Sequence, residues 1–227
     1  MEAIVIANNH EDRDLFSYLL RRAGLTVSAG SDLHRAVVTH AEKPIDIVLV
    51  SSTPNALLVK MVESAHAAIQ APLIVLVDQL TEDVHCLLLE VGADLVLERP
   101  VSPRILSRYV SVLLRRAADA RTFIMPALEM EKLTLDPASR TVKILDKDPQ
   151  QLTQLEFRLL YVLMTNRGQV IPFETIVERV WGYTGEGNRE LVRGLIRRLR
   201  RKIEPNHDKP HFIQNVTGVG YLFALEE

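Results

Sequence analysis

Residues 188–203 read NRELVRGLIRRLRRKI, with seven basic residues and one acid. Val192, Ile196, Leu199 and Ile203 recur at spacings of four, three and four, which makes one apolar stripe of a helix; Leu191 and Leu195 widen it. Arg193, Arg197 and Arg200 keep the same spacing on another face, flanked by Arg189, Arg198, Arg201 and Lys202. A helix this rich in arginine can simply be a solvated surface helix. What surrounds it decides between that reading and a nucleic-acid-binding one.

Downstream, HFIQNVTGVGYLFAL (211–225) reads as two strands around a Gly-rich turn, a hairpin. Upstream, Thr153-x-x-Glu156 is a capping box that opens a helix ending near Asn166-Arg167-Gly168. A second helix opens at Pro172. Helix, helix, basic helix, hairpin is the order of an α+β winged helix-turn-helix. In that order the third helix fits the major groove of double-stranded DNA, where arginines reach guanine edges and phosphates.

Further towards the N-terminus the pattern changes. AIVIA (3–7), LTVSA (25–29), DIVLV (46–50), PLIVLV (72–77) and DLVLE (94–98) alternate with helical stretches. Five short apolar strands separated by helices imply an α/β, doubly wound parallel sheet. Any site then lies at the strand C-termini, near Ala7–Asn9, Ser51–Ser52, Val77–Asp78 and Glu98–Arg99. Ser102-Pro103 starts a last helix expected to run to about Arg116. AADARTFIMPA (117–127) breaks the rhythm, so the expected organisation is a first domain over 1–118, a linker over 119–126 and a second domain over 127–227.

The 227 residues carry a net charge of −2, split unevenly: residues 1–121 hold 12 Lys+Arg against 15 Asp+Glu. A local basic patch matters more to a polyanion than the global balance does. One cysteine, Cys86, allows neither an internal disulfide nor a thiol metal cluster. The apolar runs are too short to span a membrane, and MEAIVIANNH lacks the build of a signal peptide. A cytoplasmic protein with no cofactor, no metal and no membrane partner is expected. No nucleophile–base pair emerges, so an enzyme is not expected.

LTQLEFRLLYVLMTNRGQVI (152–171), ERVWGY (178–183), LIRRLRRKIE (195–204) and NVTGVGYLF (215–223) resemble the effector domain of OmpR/PhoB-type response regulators. GAD (92–94), Arg99-Pro100 and SPRIL (102–106) resemble the same family's flavodoxin-like receiver. The resemblance implies an aspartyl phosphoacceptor at the end of the third strand and acids after the first that hold Mg²⁺. It also implies a Ser/Thr after the fourth strand and a lysine after the fifth. Those positions fall here on Ser51, on Ala7, Asn8 and Asn9, on Val77 and on Arg99, and the switch aromatic falls on Val96. Mg²⁺ wants carboxylate oxygens, and a serine acceptor wants a base that none of these positions supplies. A degenerate receiver, independent of aspartyl phosphorylation, is therefore expected. Asp78 is the better-placed substitute acid; Asp46 points to the opposite face about 16 Å back along its strand.

The resemblance further implies a homodimer through the receiver's fourth helix, fifth strand and fifth helix. His85, Asp94 and Arg108 match contact positions, and Leu88 and Leu89 make the face unusually apolar. In the effector half, Glu190 and Leu191 stand where an arginine and a threonine are usual, Arg193 where an aspartate is, and Leu195 where a histidine is. Thr217 replaces a wing arginine that in some members enters the minor groove. DNA binding is thus assigned to Arg189, Arg193, Arg197, Arg198, Arg200, Arg201, Lys202 and Thr217. GYTGEGN (182–188) matches the segment that in this family can touch RNA polymerase, although its glycines equally fit a plain connection. The competing reading is control of the receiver half by a ligand, a partner, or phosphorylation of Asp78 or of a Ser/Thr.

Overall fold

A computed structural model describes residues 1–32, 44–122, 126–130, 132–145, 147–183 and 189–224, with side chains 116–122 set aside. The chain divides into two compact units, Met1–Arg115 and Arg116–Glu227.

In the first unit the described elements run β1 (Glu2–Ala7), α1 (His10–Arg22), β2 (Thr26–Gly30), β3 (Ile45–Ser51), α2 (Ala56–Ala68), β4 (Leu73–Val77), α3 (Glu82–Val91), β5 (Leu95–Glu98) and α4 (Pro103–Thr122). The five strands form one parallel sheet in the order β2-β1-β3-β4-β5. β3 and β4 read as uninterrupted apolar runs because helices cover both faces, and nearly all their side chains are buried. Asn9, Asn55 and Thr81 cap α1, α2 and α3, their side chains accepting from the amides of Glu11, Leu58 and Val84. α4 continues to Thr122, past the end expected near Arg116.

Register brings the strand ends together. Ala7 lies opposite Ser51, Ser51 opposite Leu76, and Val77 opposite Glu98. Two buried aspartates work elsewhere in the sheet. Asp46 accepts from the Glu2 amide at 2.8 Å, and Asp94 accepts from the Leu73 amide at 3.0 Å. Each carboxylate thereby satisfies a backbone donor at a strand start.

The second unit opens with a four-stranded antiparallel sheet, β6 (Leu128–Glu129), β7 (Leu133–Asp136), β8 (Thr141–Ile144) and β9 (Gln150–Gln151). Then come α5 (Gln154–Thr165), β10 (Ile171–Pro172), α6 (Phe173–Val180), α7 (Arg189–Ile203), β11 (Ile213–Val216) and β12 (Gly220–Phe223). The Thr153/Glu156 capping box is complete, with both reciprocal bonds present. α5, α6 and α7 pack around a core that includes the fully buried Trp181, Phe157 and Leu199. β10, β12 and β11 form a three-stranded sheet, and Gly220 is required where β12 meets β10. A Cβ there would lie 1.9 Å from the Ile171 carbonyl oxygen.

Candidate functional site

The strand C-termini of the first unit converge on Arg99. Its guanidinium is paired through Nη1 with Asp12 and through Nη2 with Asp78. Asp12 comes from the first turn of α1 and Asp78 from the residue after β4, so a cation just past β5 ties a helix start and a loop to its own strand end. Ser51 is 2% exposed, and its hydroxyl donates to the same Asp12 Oδ2 at 3.1 Å. Asn8 donates to the Ser52 hydroxyl at 3.4 Å, and Asn9 is spent capping α1. Val77 is fully buried, and its carbonyl accepts from the Arg99 amide at 2.7 Å. The Glu98 carboxylate, one residue before, accepts from the Leu80 amide at 3.2 Å. The β4–α3 loop is therefore pinned to β5 by backbone and side chain together.

Two sequence readings change here. No base was expected beside Ser51, yet Asp12 touches it; that oxygen is also held by Arg99, and the hydroxyl is buried away from any incoming donor. Asp78, read as a substitute acid, pairs with the Arg99 guanidinium. The residues present do not fit Mg²⁺. Asn8, Asn9 and Ser51 carry no charge, and the two nearby carboxylates already neutralise an internal cation. Asp12 escaped the sequence reading because family positions were matched at the end of β1. The available signal was its place one helical turn after Asn8, facing back over the strand ends.

In the second unit α7 sorts its basic residues by face. Arg189, Arg193, Arg197 and Arg201 are exposed. Spaced by four, they form one row about 18 Å long at 1.5 Å per residue. Arg189 lies over the Phe173 ring, 5.3 Å from its centroid, and Arg193 Nη1 meets Glu190 Oε1 at 2.5 Å. Thr217 is exposed in the turn between β11 and β12, with Gly218 beside it at φ +77°.

Arg198, Arg200 and Lys202 turn inwards, which corrects their expected place on the DNA face. Arg198 is only 4% exposed. Arg200 donates to the Ile213 carbonyl at 2.7 Å and lies 5.7 Å over the Tyr221 ring. Burial pulls its guanidinium below the ordinary value, opposed by Tyr221 and Glu204. Burial likewise raises the Tyr221 phenol, opposed by Arg200, Arg193 and Arg197. Lys202 reaches the Gln151 carbonyl at 3.0 Å and the buried Glu156 carboxylate at 2.7 Å. The apolar stripe sets these directions: residues next to it on the wheel face the domain, whatever their charge. Glu204, also buried, accepts from the amides of His211, Phe212 and Ile213 and so anchors the hairpin to the end of α7.

Residues 147–223 match the family described as "Transcriptional regulatory protein, C terminal". Over 181 residues the chain is 34% identical to the uncharacterized transcriptional regulatory protein YclJ of Bacillus subtilis (strain 168), covering 79% of this chain and 77% of that one. The chain belongs to the OmpR/PhoB-type response regulators. Among solved structures, two RitR mutants superpose with TM-scores of 0.74 and 0.75 at 21% identity, each covering 98% of this chain and 98% and 99% of theirs. At that identity the likeness establishes the fold. The family also makes the chain a transcription factor with a DNA-binding domain.

The residues expected to make this response regulator's dimer face divide. Leu88, Leu89 and Asp94 are buried within their own unit. The two leucines pack inwards from α3, and Asp94 is committed to the Leu73 amide, so none of the three is presented outwards. Arg108 is exposed and His85 half-buried. Leu87, 44% exposed, and Ile105, 52% exposed, carry the exposed apolar surface here. They lie on the helices before and after β5, the strand at the sheet edge. Of the segment matched to RNA polymerase contact, residues 184–188 lie outside the described residues. Among the described residues no helix is long and apolar enough to cross a membrane.

Proposed function

We propose that this response regulator binds specific DNA sites as a dimer without aspartyl phosphorylation. The observation that carries the reading is the Arg99 guanidinium held between Asp12 and Asp78 at the strand ends. In the resemblance, a Ser/Thr after the fourth strand and a switch aromatic on the fifth respond to the phosphoryl group. Here an internal cation already binds the loop after β4 from β5, and Val77 and Val96 offer no hydroxyl or aromatic ring to report a change. The receiver half then serves as a fixed platform, and activity follows abundance or a partner.

The DNA interface in this reading is the exposed row Arg189, Arg193, Arg197 and Arg201, with Thr217 at the wing. The guanidinium groups of Arg189, Arg197 and Arg201, spread over about 18 Å, suit a duplex strand with one phosphate per 3.4 Å. His85, Leu87, Ile105 and Arg108 supply a dimer face of apolar and basic character. The protein would be cytoplasmic, with RNA polymerase as a partner of the loop over 182–188. The test is a footprint of the unmodified full chain on fragments selected from its own genome, at two salt concentrations, with sedimentation in parallel. Two protected half-sites about one helical turn apart, from a dimer, are expected. Diffuse, salt-labile binding by a monomer would overturn the reading.

A further inference from the structure

Glu190 is the single acid of α7, set in its first turn among seven basic residues. Its Oε1 lies 2.5 Å from Arg193 Nη1, one turn further on, and both side chains are solvent-accessible. An acid on a face that meets phosphates is a cost unless it does something there. As a local pair it contributes little to stability. Its placement at the N-terminal end of the helix, the end that meets base edges in helix-turn-helix docking, suggests what it does.

We infer that Glu190 is a specificity-determining residue that positions Arg193 on a guanine and withholds it from the phosphate backbone. This rests on the DNA-binding reading above. The paired guanidinium is electrically neutralised, so phosphates gain little from it. Arg193 keeps further N–H donors, enough to fork onto guanine O6 and N7, while Glu190 repels a phosphate that would compete for them. The pair thus adds discrimination between sequences and little general affinity.

The experiment uses the full chain, a duplex enriched from a random pool by the wild-type protein, and a scrambled duplex of the same length. Affinities are measured across a salt series for wild type, Glu190→Gln, Arg193→Ala and the double variant. Glu190→Gln should bind the scrambled duplex several-fold more tightly, with a salt dependence steeper by about one released counterion. Its ratio of specific to scrambled affinity should fall about tenfold, and re-selection should show one guanine per half-site losing its preference. In the Arg193→Ala background the same change should leave the ratio nearly unaltered. An unchanged ratio and unchanged guanine preference in Glu190→Gln would overturn the inference, as would the full effect persisting without Arg193. A wild type that does not distinguish its selected duplex from the scrambled one would instead remove the DNA-binding reading itself.

Discussion

Replacing Lys202 with methionine separates an interior role from a DNA-contacting one. Methionine keeps most of the aliphatic stem, so packing changes little and the lost group is the ammonium. That ammonium sits 2.7 Å from a Glu156 carboxylate that is 0% exposed, and is itself 25% exposed. Removing one partner of a fully buried pair costs about 3–5 kcal/mol. The partial exposure of Lys202 lets solvent screen the orphaned charge, so about 2–3 kcal/mol is expected here. Trp181 is the chain's single tryptophan and is buried in the second unit. Its fluorescence therefore follows urea unfolding of that unit within the full chain. With a slope of about 1 kcal/mol per molar urea for a domain of this size, the midpoint should drop by about 2–3 M. Glu156→Gln combined with Lys202→Met should recover at least half of the loss. Glutamine leaves no buried charge and can still complete the capping box. An unchanged midpoint accompanied by weaker DNA binding would instead place Lys202 at the DNA interface.

Three further outcomes follow from the same geometry. Arg197→Ala should weaken binding to all duplexes and reduce the salt slope by about one. Arg198→Met, four-hundredths exposed in the wild type, should leave that slope unchanged. Gly220→Ala should destabilise the second unit by about 3 kcal/mol in the Trp181 assay, because the new Cβ meets backbone of β10, not a movable side-chain end. Tyr221, with its phenol raised by burial, favours the protonated form more strongly when folded than when unfolded. The stability it contributes is complete below the ordinary tyrosine value and is lost as pH climbs through the raised one. Tyr221→Phe should flatten that alkaline decline in urea midpoints taken above pH 10.

The elements of both units were legible because each carried a local signal. The apolar runs DIVLV and PLIVLV, the Thr153/Glu156 box, and the four-three-four stripe of α7 each describe one segment's own geometry. The strand-end site was half legible: Ser51, Asn8, Asn9 and Val77 mark what is missing, and they are adjacent by family position. What closes it was legible only in part: Asp78 and Arg99 stood at the strand ends in the sequence, but Asp12 and the pairing of all three did not. Asp12, Asp78 and Arg99 are far apart in sequence and meet only through the β1-β3-β4-β5 order. Faces of α7 were misjudged for a different physical reason. Arg198, Arg200 and Lys202 are cations, and charge alone suggested solvent. Yet Glu156, the Ile213 carbonyl and the Tyr221 ring give the domain interior its own uses for basic side chains. Leu88, Leu89 and Asp94 failed in the same way: a resemblance to contact positions says nothing of what a neighbouring strand demands, and the Leu73 amide needed an acceptor.

If the Arg99–Asp12–Asp78 arrangement makes phosphorylation unnecessary, DNA binding is the same with and without a phosphodonor. The most direct measurement is the binding isotherm of the purified protein on its footprinted site, before and after incubation with acetyl phosphate and Mg²⁺, with intact mass recorded for both samples. Superimposable isotherms and no phosphoryl mass increment are expected. Tighter binding that appears only with an added phosphoryl group would contradict this.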